Sequence, residues 1–85
     1  VRKITFTAEA WSDYLFWEES DQQKLKKINR LIAEIVKTPY KGTGNPEPLK
    51  FTLKGYWSRR IDQKERLIYR ADDDKILIIS CKGHY

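Results

Sequence analysis

Apolar residues recur at helical spacing in one stretch of the chain. Leu25, Ile28, Leu31, Ile32, Ile35 and Val36 follow i, i+3, i+4 intervals, the signature of an amphipathic helix. Lys24, Lys27, Arg30 and Lys37 lie mainly off that stripe. Ser20 or Asp21 is the expected N-cap. The helix should stop at Thr38-Pro39, because a residue before proline is pushed out of helical angles. Upstream, "KITF" (Lys3 to Phe6) reads as a short strand and Thr7 as the N-cap of a first helix over 8–19. Trp11, Tyr14, Leu15 and Glu18 share one face of that helix, and Trp17 broadens its apolar stripe.

Past Pro39 the pattern changes. "PYKGTGNPEPLK" (39–50) holds three prolines and two glycines in twelve residues and reads as a loop. The prolines restrict it, so it can hold a side chain in place. Three strands should follow: one within "FTLKGYWSRRI", with a bend at Lys54-Gly55, then "RLIYRA", and "KILIISCK" after the turn "DDD". Their short connections predict an antiparallel meander. The order β-α-α-β-β-β defines an α+β fold. It predicts a small, antiparallel-rich sheet with two helices packed on one face and the other face open. Residues 1–85 read as a single domain.

Alternation places the polar residues on these strands. Arg66, Ile68 and Arg70 share one face, and Leu67, Tyr69 and Ala71 the other. Trp57 and Ile61 should join Leu67 and Tyr69 against the helices. A register pairing residue 60 with residue 66 would bring Arg60 and Arg66 together on the open face. In the last strand Ser80, Lys82 and His84 share a parity, and their face becomes polar toward its end.

Charge narrows the partner. The net charge is +5, which favours a polyanion such as nucleic acid. Glu9, Asp13, Glu18, Glu19 and Asp21 make residues 9–21 acidic, while the cations concentrate between Lys37 and Arg70. Cys81 is the only cysteine. It lies in an apolar run and should be a small buried hydrophobe. One cysteine and one histidine do not make a zinc site, so neither metal nor cofactor is expected. No segment approaches a membrane span or a signal peptide, and the expected location is the cytoplasm.

Three features could carry chemistry. Glu47 is the only acidic residue between Lys37 and Arg60, and it sits in the rigid loop. The arginines of the meander offer bidentate phosphate contacts. His84, the only histidine, and Tyr85 end the chain. Cleaving RNA through its own 2′-hydroxyl needs a base, an acid and charge stabilisation. Glu47, His84 and Arg66 are the right types for these roles. Tyr85 could stack on a base or steer the imidazole. Taken singly, each feature is better read as an ordinary surface residue than as part of a site. Composition and pattern alone describe a small basic α+β domain suited to RNA binding.

Read together, the motifs say more. "DYLFW" (13–17), "KKIN" (26–29), "NPEPLK" (45–50), "GYWSRRI" (55–61), "ERLIYR" (65–70) and the terminal "HY" resemble the YoeB family of bacterial toxins, in the RelE/ParE superfamily with its microbial-RNase-like fold. The resemblance spans essentially the whole chain. It implies a ribosome-dependent mRNA endonuclease, or mRNA interferase. Such an enzyme enters the A site of the 70S ribosome against 16S rRNA, and its cut leaves a 2′,3′-cyclic phosphate and a 5′-hydroxyl. It also implies neutralisation by a YefM-type antitoxin. The matching positions assign Glu47 as general base and His84 as general acid. Arg66 and Arg60 bind phosphate, and Lys50 and Tyr85 complete the site. Arg59, in the same "SRRI" motif, is grouped with Lys50 and Arg60 as an RNA-binding residue. Departures from the family pattern at Phe51-Thr52, Lys82-Gly83 and "FTAEA" bear on substrate preference and antitoxin matching. The aromatic face of the first helix, with Trp11 and Trp17, is compatible with a homodimer. Two alternatives share the fold: a ParE-like gyrase inhibitor and a non-catalytic module that binds RNA or antitoxin. The gyrase reading has no need of the Glu47, Arg66 and His84 set, and a binding module would keep or strengthen its binding when Glu47 is replaced by alanine.

Overall fold

The computed structural model describes residues 2–83. Strand β1 (Lys3–Phe6) leads into helices α1 (Ala8–Ser20) and α2 (Gln22–Lys37). Strands β2 (Glu47–Pro48), β3 (Trp57–Arg60), β4 (Arg66–Ala71) and β5 (Lys75–Ser80) follow, with a 3-10 turn at Phe51–Leu53. The sheet order is β1-β5-β4-β3-β2. The two helices carry the chain across one face to the far edge of the sheet. The meander then brings it back, so that β5 lies parallel to β1 while the other pairs are antiparallel.

The helices start where local chemistry directs. Thr7 Oγ1 accepts from Ala10 N at 3.1 Å, which caps α1. Asp21, rather than Ser20, caps α2 by accepting from the N–H groups of Gln23 and Lys24. The stripe expected on α2 is the one that packs: Leu25, Ile28, Leu31, Ile32 and Ile35 are buried. They meet Ile61, Leu67, Tyr69, Ile76, Ile78 and Cys81 in one core on the helix side of the sheet. Burial, and then the nearby Asp13 carboxylate, push the Cys81 thiol up to about 12. It is therefore an unreactive packing residue. Among the described residues no helix is long and apolar enough to cross a membrane.

Helix α1 packs through a different face from the one expected. Ala10 and Trp17 are its buried residues, and Trp11 and Leu15 stay largely exposed. The small Ala10 allows close approach, and Trp17 is turned inward by an indole hydrogen bond to the Cys81 carbonyl at 2.8 Å. Trp11 instead stacks on Tyr14 and meets Phe6 edge-on.

The segment read entirely as loop contains a strand. Glu47 pairs with Ser58 and Pro48 with Trp57. Pro48 is tolerated because β2 is an edge. The last strand carries a second irregularity. Tyr69 pairs with Ile78, but Ile68 pairs with Ser80, so Ile79 is an extra residue. This bulge reverses the alternation. Ile76 and Ile78 face the helices, yet Ser80 lies opposite Ile68 on the open side. Without it, Ser80 would share the helix side with Ile76 and Ile78.

Candidate functional site

The open face gathers polar residues from separate parts of the chain. Arg60 and Arg66 are directly opposed across β3 and β4, as the alternation predicts. Directly opposed residues stand roughly 5 Å apart at Cβ, and like charges placed so repel. Among the described residues neither arginine takes part in an ion pair. Two such guanidiniums make a ready site for an anion. Glu47 lies opposite Ser58, and Ser58 lies opposite Ile68. The carboxylate therefore shares the open face with Arg60, one diagonal step away. Glu47 is exposed, and Asn45 Nδ2 donates to its Oε1 at 3.1 Å. Lys50 is exposed just beyond, at the start of the 3-10 turn.

Arg59 does not belong to this face. It is fully buried on the helix side. Nε donates to Tyr69 Oη at 3.2 Å, and Nη1 to Glu34 Oε1 at 2.9 Å and the Thr43 carbonyl at 3.2 Å. Nη2 donates to the carbonyls of Thr38 at 2.7 Å and Lys41 at 2.9 Å. All its donors are engaged within the protein, so the expectation that Arg59 binds RNA is corrected. Its role is to hold the loop leading to Glu47. Glu34 completes the clamp by accepting from Thr43 N at 2.8 Å. Hydrogen bonds from Thr43, with Arg59 adding to them, keep the Glu34 carboxyl below its usual range. Gly44 lets the loop touch β3. Its φ is +87° and its carbonyl accepts from Arg60 N at 2.7 Å. A Cβ there would sit 3.0 Å from the Arg60 carbonyl oxygen.

Arg66 is oriented by the β3–β4 turn. Its Nη1 donates to the carbonyls of Asp62 at 2.7 Å and Glu65 at 3.1 Å. Nε and Nη2 are not committed to those two oxygens. The turn is closed by Asp62 Oδ1, which accepts from Lys64 N and Glu65 N. Neither Asp62 nor Glu65 was singled out from the sequence. The signal was there, since "DQKE" is an Asp-led turn of a recognisable kind.

His84 and Tyr85 lie outside the described residues. The segment before them is firmly held. The strand ends at Ser80, so bonds from outside the strand tether it. Trp17 bonds the Cys81 carbonyl, and Asp13 Oδ2 accepts from Cys81 N at 3.1 Å. Gly83 N donates to Glu65 Oε1, and the Gly83 carbonyl accepts from Arg66 N at 2.7 Å. The residue next to His84 is thus fixed beside Arg66. Among the described residues no three His, Cys, Asp or Glu side chains converge as metal ligands.

Known proteins share this arrangement of chain. Residues 6–85 match the family described as YoeB-like toxin of bacterial type II toxin-antitoxin system. Toxin YoeB of Streptomyces coelicolor is 54% identical, over 98% of this chain and 99% of its own. Among solved structures, a YoeB dimer from Staphylococcus aureus superposes with a TM-score of 0.93 at 45% identity, covering 99% of this chain and 98% of that one. A heterotetrameric YoeB-YefM toxin-antitoxin complex from the same organism gives 0.91 at 44% identity, with 100% and 99% covered.

Proposed function

The chain belongs to the YoeB family of bacterial type II toxins, and we propose that it is a ribosome-dependent mRNA endonuclease acting as a single domain in the bacterial cytoplasm. Glu47 removes the proton from a 2′-hydroxyl in the A-site codon. The 2′-oxygen bonds to the adjacent phosphorus, and the bond from phosphorus to the 5′-oxygen breaks. His84 gives its proton to the departing 5′-oxygen. The products are a 2′,3′-cyclic phosphate and a 5′-hydroxyl. Arg60 and Arg66 bind the phosphate and offset the charge that builds on it. Lys50 adds a further cation, and Tyr85 stacks on a base or orients His84. The chemistry calls for no cofactor.

One observation carries this reading: the opposed Arg60–Arg66 pair shares a sheet face with Glu47. Gyrase inhibition does not require that set, and a passive RNA platform gains nothing from a carboxylate among its cations. The fixed position of Gly83 beside Arg66 supports a working place for the neighbouring imidazole. A small site of this kind depends on substrate geometry, so the ribosome supplies much of the positioning. The partners proposed are a YefM-type antitoxin crossing the cationic face, and a second copy of the chain. The latter would use Ile4, Trp11, Leu15 and Phe16, the large apolar residues exposed on β1 and α1. Trp17 is buried and takes no part in that surface.

The test is cleavage of A-site codons on programmed ribosomes by the intact chain, Glu47→Gln and His84→Ala. Each substitution is expected to slow cleavage by about 100-fold or more while leaving ribosome binding in place. Product ends should carry the cyclic phosphate. Equal cleavage by all three proteins would remove both residues from the chemistry.

A further inference from the structure

Phe51 is 91% exposed, more than any other large apolar side chain described. Its backbone has a φ of +58°, a region disfavoured for a residue with a Cβ. Neither the ring nor the backbone conformation repays the fold. Strain of this kind at an exposed side chain points to a use outside folding. The ring is not on a loose tip. Leu53 N bonds the Lys50 carbonyl at 3.2 Å, and Lys54 N bonds the Phe51 carbonyl at 3.1 Å. Leu49 N bonds the Tyr56 carbonyl at 2.8 Å and ties the turn to the start of β3.

The surroundings choose the ligand. Pro48, Leu49, Lys50, Lys54 and Trp57 line a shallow depression of about 560 Å³ with Phe51. Two ammonium groups border it and no carboxylate does. A flat, uncovered aromatic between two cations suits a nucleobase whose phosphates continue on either side. A peptide side chain would gain from an enclosing pocket, which so open a ring does not provide. Pro48 lies opposite Trp57, which packs on the helix side of the sheet, whereas Glu47 lies opposite Ser58 on the open face, so the depression sits round the β2 edge from the candidate site.

We propose that Phe51 and Lys54 form a nucleobase-stacking subsite for single-stranded RNA, which receives a base of a strand that passes round the β2 edge from the candidate site. Its role in cleavage rests on the ribonuclease reading, but the binding itself does not. The decisive probe is a fluorescent 2′-O-methyl RNA hexamer, which has no 2′-hydroxyl to attack, with an abasic hexamer as control. Phe51→Ala is expected to bind the first about 5- to 100-fold more weakly, the range for one lost base–aromatic stack. Phe51→Trp should bind as well as the intact chain. Lys54→Ala should lower the slope of log affinity against log salt by about one. The abasic hexamer should not distinguish Phe51→Ala from the intact chain. Unchanged binding of the base-bearing hexamer by Phe51→Ala overturns the subsite. So does an equal loss on the abasic one, or a loss confined to an antitoxin peptide. Binding as expected with no cleavage of ordinary mRNA would defeat the ribonuclease reading and leave the subsite standing.

Discussion

A guanidinium has five N–H donors. At Arg59 all of them are spent on Tyr69, Glu34 and three loop carbonyls. At the next residue the guanidinium is exposed opposite Arg66. Replacing Arg59 by alanine would strand the buried Tyr69 hydroxyl and four part-buried acceptors at once. Arg59→Ala is expected to cost about 3 kcal/mol or more in denaturant unfolding, a large share of the stability of so small a domain. Arg60→Ala should leave stability unchanged or raise it by up to about 1 kcal/mol, since it relieves a like-charge pair, yet slow cleavage by 10-fold or more. Comparing unfolding midpoints with cleavage rates for the two variants checks both outcomes. Alternation in "WSRRI" already separates these neighbours, because Arg59 shares the parity of Trp57 and Ile61. What no strand pattern shows is that residues 38–43 return to cover that face and present their carbonyls. Phe51 raises a parallel issue. Its replacement by asparagine, which tolerates left-handed backbone, should not lower stability, and could raise it by about 0.5–1 kcal/mol. Thermal unfolding measures this directly.

At the scale of elements, the site depends on three irregularities: the two-residue β2, the bulge at Ile79 and the β3–β4 turn. The first two were not legible. A two-residue strand containing proline is too short to show a period, and "ILIIS" is apolar throughout, so it cannot reveal a slip in alternation. The long helix α2 was legible because its five buried residues recur at helical spacing within a sixteen-residue helix. The exposed face of α1 misled because its aromatics are as apolar as its core residues. The turn makes its own prediction. Asp62 Oδ1 closes it, and Oδ2 accepts from Lys24 Nζ on α2 at 2.8 Å. Burial opposes the charged form, but the Lys24 bond, and then the Glu65 and Lys64 amides, outweigh it and hold the carboxyl at about 2. The folded value lies below the ordinary 3.8. Asp62 therefore contributes stability that is present above pH 3.8 and is lost as pH falls through about 2. Stability measured by denaturant should decline across that window. Asp62→Asn should flatten part of the decline, the rest belonging to Asp21, Glu34 and Asp72, whose carboxyls are also lowered. A decline unaffected by Asp62→Asn would mean that the turn does not carry this linkage.

At the scale of the whole molecule, the proposed groups come from places far apart in sequence, and each is held by a different set of ties. Arg59 clamps the loop before Glu47. The Asp62 turn aims Arg66. Trp17 and Asp13 on α1 hold Cys81, two residues before Gly83. The motifs made the residue types legible, but the ties belong to tertiary packing. Trp17→Phe tests whether helix α1 serves the site as well as the core. The change keeps most of the aromatic bulk and deletes the indole bond to the Cys81 carbonyl, leaving that buried acceptor short of a partner. A stability loss of about 1–2 kcal/mol is expected. If the bond also positions the end of the chain, kcat on programmed ribosomes should fall several-fold with KM nearly constant, because the RNA-binding face is untouched. The assay must be run where the variant is fully folded, as shown by its unfolding curve. A kcat equal to that of the intact chain under those conditions would make Trp17 a core residue only, and would leave the C-terminal geometry to Glu65 and Arg66.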